Sequence, residues 1–175
     1  MTAITWKSAM NGDWSTISDW NPAAVPGAAD AVTVGATGAA YTVTVTGPEA
    51  AKTLTIDSAT ATLDITSSLT MGGALSVSAG TLQLDNGSTI HGGTLALGGG
   101  ALVANGGTLS GVAVQGTLSL QSNNNAFTLT NGTTFSGAGG VGAGTINFAG
   151  GGGQNSYPYA QPSPHFFSRD FNAVG

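Results

Sequence analysis

A short unit with two apolar side chains, placed two positions apart, recurs along the chain from residue 53 onward. TLTID at residues 53–57 and TLQLD at residues 81–85 are two copies, in which Thr, Gln or Asp occupies the intervening positions. This alternation is typical of a β-strand that buries one face. The segment is rich in Gly, Thr and Ser and has no 3.6-residue period, so the pattern argues against α-helix.

Equivalent units return after about 20 residues, which indicates a repeat architecture. Three apolar series run through the chain: Leu54, Leu75, Leu95 and Leu118; Leu63, Leu82 and Leu102; and Leu69, Ile90, Leu109 and Leu129. Three short strands in each ~20-residue coil predict an all-β fold, a right-handed parallel β-solenoid (β-helix) of about six coils with a roughly triangular section.

Asn-Gly pairs at residues 86–87, 105–106 and 131–132 are predicted corners of this coil, because both residue types tolerate a left-handed backbone. The same dipeptide is also a strong hairpin signal, so a β-sandwich or an antiparallel meander is the alternative fold. The 20-residue return favours the solenoid.

Both ends of the chain depart from the repeat, which predicts three regions: a Trp-rich N-terminal cap at residues 1–30, a β-solenoid at residues 31–150, and a Gly/Pro/aromatic tail at residues 151–175. We expect Trp6, Trp14 and Trp20 to cover the first coil, since a solenoid must close its open ends. Stacking of these rings on sugars is the weaker alternative. The tail aromatics are predicted to mediate self-assembly by docking on the chain's own solenoid or on a neighbour; they are Tyr157, Tyr159, Phe166, Phe167 and Phe171.

The N-terminal string W-x7-W-x5-W, formed by Trp6, Trp14 and Trp20 and followed by NPAAVPGAADAVTV at residues 21–34, resembles a known family. It is similar to the start of β-helical passenger regions in bacterial proteins of the filamentous-haemagglutinin and autotransporter-adhesin type. The resemblance implies a secreted or surface-exposed solenoid that serves as an adhesin, a matrix fibre or a scaffold.

In some related proteins an autoprocessing domain follows the solenoid, so the end at residues 172–175 is expected to be either such a cleavage point or a truncation. MTAITWKSAM at residues 1–10 has no basic region followed by an apolar one, so any export signal is expected elsewhere.

Charge is scarce in this chain. Its 175 residues include 3 Lys or Arg and 8 Asp or Glu, for a net charge of −5, and no charged residue occurs between Asp85 and Arg169. Nucleic acid and anionic lipid are therefore not expected partners. The chain has no Cys, which excludes disulfides and thiolate metal sites, and no apolar run long enough for membrane insertion as a helix.

Polysaccharide-degrading enzymes are the commonest enzymes on a parallel β-helix, and their chemistry needs paired carboxylates or a basic residue. The coils offer Asp57, Asp64 and Asp85, each of which we expect to end a strand and to hydrogen-bond a turn. His91 and His165 are far apart in sequence and have no acidic neighbours. No catalytic residue, metal site or cofactor is predicted, and the chain is not expected to be an enzyme.

The coil surface is predicted to be neutral and flat, with Thr, Ser, Asn, Ala and Gly in place of the charges that usually protect sheets from association. Pairs of Thr at residues 42–46 and 53–55 suggest ice binding as one alternative, but they are not expected to recur at the coil period beyond these strands. We therefore predict an extracellular structural protein that self-assembles head-to-tail into filaments of a bacterial surface or biofilm matrix. Copies of itself are the predicted partner, and an adhesin that binds an uncharged polysaccharide is the main alternative.

Overall fold

A computed structural model describes residues 1–120, 126–148 and 157–158 of the chain. This part is all-β, and its only helical elements are two 3₁₀ turns at Ile17–Asp19 and Ala138–Gly140. In chain order the strands are β1 (Ala3–Trp6), β2 (Gly12–Asp13), β3 (Trp20–Asn21), β4 (Ala31–Val34), β5 (Tyr41–Val45), β6 (Glu49–Ala51), β7 (Thr53–Ile56), β8 (Ala61–Ile65), β9 (Ser68–Met71), β10 (Ala74–Val77), β11 (Thr81–Asp85), β12 (Thr89–His91), β13 (Thr94–Leu97), β14 (Ala101–Ser110), β15 (Ala113–Gln115), β16 (Thr117–Leu120), β17 (Ala126–Thr130), β18 (Thr134–Ser136), β19 (Thr145–Phe148) and β20 (Tyr157–Pro158).

The strands form a parallel β-solenoid with three faces. The first face is the sheet β18-β15-β13-β10-β7-β4-β1, with β3 antiparallel on its outer edge. The second face runs β2-β5-β8-β11 to the first half of β14, and the third runs β6-β9-β12 to the second half of β14 and then β17. A separate sheet of β16, β19 and β20 follows. The predicted fold class is therefore confirmed.

The solenoid has about five turns rather than the predicted six. Five coils run from β4 to β17, and the first four each contribute one strand, or half of β14, to every face. The fifth contributes β15 to the first face and β17 to the third, whereas its middle strand, β16, follows in the place of the second face but pairs with β19 in the separate sheet. Incomplete coils lie before them (β1 and β2) and after them (β18 and β19). The seven parallel strands of the first face span about 29 Å at ~4.8 Å between neighbouring strands.

The strand registers test the three apolar series directly. Leu63, Leu82 and Leu102 are aligned neighbours, and so are the four members of the series that ends at Leu129. The first series is wrong at its last member, because Leu95 pairs with Val114 and not with Leu118. Strand β15 has only three residues, and Gly116, with a φ of 101°, then turns the chain so that Leu118 lies on the next face.

All three Asn-Gly pairs lie at corners of the coil. Gly87 has a φ of 84°, and Asn131 and Gly132 both have positive φ, at 51° and 74°. At the pair at residues 105–106, where Gly106 has a φ of 103°, β14 bends around its corner through a bulge opposite Asp85 without breaking the strand. This continuity is why the second and third faces join into one nine-stranded sheet.

The core is a column of aliphatic side chains stacked coil on coil. Leu54, Leu63 and Leu69 of one coil are all fully buried, one from each face. Burial of one such side chain stabilises the fold by about 1.5–3 kcal/mol relative to exposure. The repeat therefore supplies a similar contribution from every coil, as expected for a solenoid whose coils contact only their neighbours.

Candidate functional site

Residues 1–30 form a β-strand layer on the first coil. Strand β1 pairs in parallel with β4, from Ala3 opposite Ala31, and β2 pairs with β5. Strand β3 then returns antiparallel against β1, with Trp6 opposite Trp20. We call this part the N-terminal layer.

The three tryptophans fill the interior of the N-terminal layer. The Trp20 ring centroid lies 4.8 Å from that of Trp6 and 5.0 Å from that of Trp14, with edge-to-face geometry in both pairs. The exposed fraction is 4% for Trp6, 0% for Trp14 and 1% for Trp20. Trp20 Nε1 donates a hydrogen bond of 2.7 Å to the Trp14 carbonyl oxygen, and Trp6 Nε1 donates to Met10 at 3.2 Å. None of the rings offers a face on which a sugar could stack.

Asp13 joins the N-terminal layer to the first coil. Its Oδ2 accepts a hydrogen bond of 2.6 Å from Thr46 Oγ1, and its Oδ1 accepts bonds from the backbone and side chain of Ser15. Burial disfavours the charged form of Asp13, but these donors outweigh it and lower the pKa of the carboxyl group. Asp13 is thus held ionised at the N-terminal end of the rod.

The C-terminal end of the described rod is more open. Leu69, Ile90 and Leu109 are at most 1% exposed, whereas Leu129, the next member of the same row, is 43% exposed. Val141, in the turn region before β19, is also exposed, and Phe127, Phe135 and Ile146 are only partly buried against the core. We call this part of the molecule, residues 126–148, the C-terminal end.

One predicted tail residue lies in a described strand. Tyr157 belongs to β20, which pairs antiparallel with β19 of the same chain, with Ile146 opposite Tyr157 and Thr145 opposite Pro158. Pro158 lacks a backbone N–H and cannot donate to a ladder. The other predicted tail residues lie outside the described residues; they are Tyr159, Phe166, Phe167 and Phe171.

The outward side chains of the first face are small and uncharged. With the single exception of Gln115 they are Ala, Ser or Thr: Ala3, Thr5, Ala31, Thr33, Thr53, Thr55, Ala74, Ser76, Thr94, Ala96, Ala113, Gln115, Thr134 and Ser136. Their parallel registers keep them in two straight rows along the rod. The face is consequently flat, with hydroxyl and methyl groups at its surface.

The third face carries a row of hydroxyl groups at the coil period. Ser68, Thr89, Thr108 and Thr128 are successive partners in the strand registers, and none of them is buried. This row has one hydroxyl residue in each coil and includes Ser, so it is distinct from the Thr pairs at residues 42–46 and 53–55.

The carboxylates of the second face are joined in a ladder. Gln83 Nε2 donates to Asp64 Oδ1 at 3.2 Å and to Asp85 Oδ1 at 3.1 Å, and Asn105 Nδ2 donates to the same Asp85 oxygen at 3.1 Å. Burial, and then the neighbouring charge of Asp85, raise the pKa of Asp64. Asp85 ends its strand as predicted, but Asp64 lies inside β8 and hydrogen-bonds a neighbouring coil instead of a turn.

The remaining predicted polar residues stay apart. Asp57 is exposed after β7, and His91 is exposed in β12 on the third face. His165 lies outside the described residues. Within residues 1–120, 126–148 and 157–158, no three His, Asp or Glu side chains meet in an arrangement that would hold a metal ion.

Sequence reasoning missed the residues that distinguish the two ends of the rod. Leu129, like buried Leu109, lies between two hydroxyl residues. Only its position as the last member of its series distinguishes it as an exposed residue. Glu49 was also missed, although it precedes Leu69 by 20 residues and so places a carboxylate in an apolar series. That spacing was a signal available in the sequence.

Comparison of the chain with protein-family models, with curated proteins and with solved structures finds no significant match. Among the described residues, no helix has the length and apolar character needed to cross a bilayer.

Proposed function

We propose that this protein is an extracellular structural protein whose copies stack head-to-tail into filaments of a bacterial surface or biofilm matrix. One observation carries the proposal: in the part of the chain that the structure describes, the large apolar side chains that are exposed lie at the two ends of the rod. Met1, Met10 and Ile17 belong to the N-terminal layer, and Leu129 and Val141 belong to the C-terminal end.

Exposed apolar groups favour association, since their removal from water stabilises a complex by about 25 cal/mol per Å² of apolar area. Two different apolar ends on one rod give a heterologous contact, which repeats without closing and generates a filament. The sides between the ends carry mainly Ala, Ser and Thr side chains on the first face and a row of hydroxyl groups on the third, which contribute little to such a driving force.

The extracellular location and the bacterial source rest on the resemblance to filamentous-haemagglutinin and autotransporter-adhesin passenger regions. The chain shares with them the Trp6, Trp14 and Trp20 pattern and the solenoid itself. A chain without Cys is compatible with an oxidising exterior because it has no thiol to oxidise.

The test is sedimentation velocity over a range of protein concentrations, combined with negative-stain electron microscopy of the full chain. Filaments one rod wide are expected, and Leu129→Lys should shorten or abolish them because it places a charge at the end contact. Thr55→Lys is the matched control, since it adds the same charge to the side of the rod and should leave the filaments intact. Wild-type protein that stays monomeric at every concentration would contradict the proposal.

A second candidate is an adhesin that binds an uncharged polysaccharide, and the flat first face favours it. Its rows of Ala, Ser and Thr place hydroxyl and methyl groups in a plane, which suits the alternating polar and apolar surface of a sugar chain. Binding to an uncharged polysaccharide is measured directly by sedimenting the protein with insoluble cellulose. Ser76→Lys on the first face should reduce binding, and Thr62→Lys on the second face should not. Equal binding by both variants would exclude the first face as the contact.

A further inference from the structure

The three faces differ in whether their terminal strands are already paired. On the first face, β3 covers the N-terminal edge at β1, and in the separate sheet at the C-terminal end β20 covers the edge of β19. On the third face, β6 pairs only with β9 and β17 only with β14 among the described residues. Among the described residues, the third face therefore keeps a free edge on both its first and its last strand.

The registers place a carboxylate in the core row of this face. Glu49, Leu69, Ile90, Leu109 and Leu129 are successive partners from β6 to β17. Leu69, Ile90 and Leu109 are buried in the core, so the row points inward and Glu49 occupies an inward position on the first strand. In the same strand, Ala51 is also inward and is fully buried opposite Met71.

An inward-pointing charge on an edge strand is one of the ways in which sheets prevent further strands from adding. Any strand that extends the row beyond Glu49 would enclose the carboxylate between apolar side chains, and burial of an unpaired charge is costly. The row ends on the opposite side in Leu129, an apolar side chain with no inward-facing neighbour above it in the described coils. One end of the row therefore resists strand addition and the other end favours it.

We infer that the third face is the seam of the filament: β17 of one copy pairs with β6 of the next, so that Leu129 meets Glu49, and ionisation of Glu49 opposes this contact. The inference rests on the proposed head-to-tail assembly and adds its register and its control by pH. Continuation of the row by one coil gives the parallel pairing found between all other strands of this face.

Few titratable groups face Glu49. Strand β9 has none, and β17 of the incoming copy has none. Asp13 on β2 adds its negative charge, and Lys52 directs its Nζ toward the Gly72 carbonyl oxygen, 3.5 Å away. Burial, and then the charge of Asp13, raise the pKa of Glu49. Protonation of Glu49 thus begins above its usual range, and acidification should promote assembly.

The first experiment compares the protein concentration at which filaments appear at about pH 7 and at about pH 4, values that bracket the usual Glu pKa. Wild-type protein should assemble at a lower concentration in acid. Glu49→Gln should assemble at about pH 7 as the wild type does at about pH 4 and should lose most of the pH dependence. Asp57→Asn is the matched control, since it removes one negative charge from an exposed corner and should behave as the wild type.

The second experiment tests the register by cross-linking, and the absence of native Cys makes it specific. Under oxidising conditions Glu49→Cys/Leu129→Cys should give a ladder of disulfide-linked multimers on a non-reducing gel. Asp57→Cys/Leu129→Cys should give no ladder, and Leu129→Cys alone should stay monomeric. Dimers from the single variant would mean that C-terminal ends meet each other, which overturns the inference.

The two proposals fail in distinguishable ways. Filaments of wild type and Glu49→Gln with the same pH dependence, and no ladder from the Glu49→Cys/Leu129→Cys pair, would refute the third-face seam and leave head-to-tail assembly standing. Monomers of wild type and Glu49→Gln at every pH and concentration would refute both. Circular dichroism of each variant checks that the solenoid has folded.

Discussion

Two tryptophans in the N-terminal layer differ in their hydrogen bonding, and this difference predicts unequal losses of stability for the same substitution. Trp14 and Trp20 are both essentially fully buried and pack edge-to-face on one another. Trp20 Nε1 donates a hydrogen bond of 2.7 Å, whereas Trp14 Nε1 is buried with no hydrogen-bond partner. Replacement of either residue by Phe removes the indole N–H and the same side-chain volume.

The magnitudes follow from these contacts. Trp20→Phe loses a hydrogen bond and leaves the Trp14 carbonyl oxygen without this donor, a cost of about 1–3 kcal/mol in addition to the lost volume. Trp14→Phe removes a donor that already lacks a partner, so the lost volume is its main cost. We therefore expect Trp20→Phe to be the more destabilising variant by about 1–3 kcal/mol. With an urea m-value of about 2 kcal/mol/M, the midpoints should differ by about 0.5–1.5 M.

The assay is urea unfolding followed by near-ultraviolet circular dichroism, which reports on the tryptophans, and by far-ultraviolet circular dichroism, which reports on the coils. A solenoid can lose an end layer before its centre, so the two signals are compared for each variant. Trp6→Phe serves as an intermediate case, because its Nε1 makes a longer bond of 3.2 Å. A Trp14→Phe midpoint at or below that of Trp20→Phe would refute the hydrogen-bond argument.

Three further predictions concern the coils. Gly80→Ala should destabilise the fold far more than Gly87→Ala, and thermal unfolding of the two variants measures the difference. Both glycines have positive φ, but a Cβ at Gly80 would overlap neighbouring carbonyl oxygens, whereas a Cβ at Gly87 would meet no other atom. Ser88→Ala should cost less than Ser58→Ala, because Ser88 Oγ is buried without a partner and Ser58 Oγ is hydrogen-bonded; equal unfolding midpoints would argue against this. The pKa of Asp64 is raised in the folded state, so its protonated form stabilises the fold. This stability is fully present below the unfolded pKa, near 3.9, and is lost as the pH rises through the folded pKa. The free energy of unfolding of Asp64→Asn, measured in urea titrations, should therefore rise relative to that of the wild type between about pH 3 and pH 7.

The repeat was predictable because each coil must place an apolar side chain in the same row as its neighbours. Leu63, Leu82 and Leu102 keep a spacing near 20 residues, and their alignment follows from that spacing alone. The prediction failed at Leu118, where a three-residue strand and the turn at Gly116 moved the next leucine to another face. Several apolar residues in that stretch fit the spacing, so the sequence pattern does not decide between them.

The ends of the rod were harder to predict than its middle. Burial of a strand residue depends on the coil above it. Leu109 and Leu129 each lie between two hydroxyl residues in sequence, but only Leu109 is buried. The Trp pattern indicated a layer at residues 1–30, but whether that layer contained helix or strand depended on the pairing of β1 with β4, which no short-range pattern encodes. The carboxylate ladder of the second face was likewise hidden, because Asp64 and Gln83 meet only through the coil register.

Charged residues are unevenly distributed along the rod, and this distribution affects which ends can contact each other. The N-terminal layer contains Asp13, Asp19 and Asp30 and a single basic side chain, Lys7, whereas the stretch between Asp85 and Arg169 has no charged residue. Two N-terminal layers brought together would each carry excess negative charge at close range, and this repulsion opposes their contact. A neutral C-terminal end meets no such opposition from an N-terminal layer. The charge distribution thus disfavours the pairing of two N-terminal layers and does not oppose the proposed head-to-tail contact, in which Glu49 is the group that has to be neutralised.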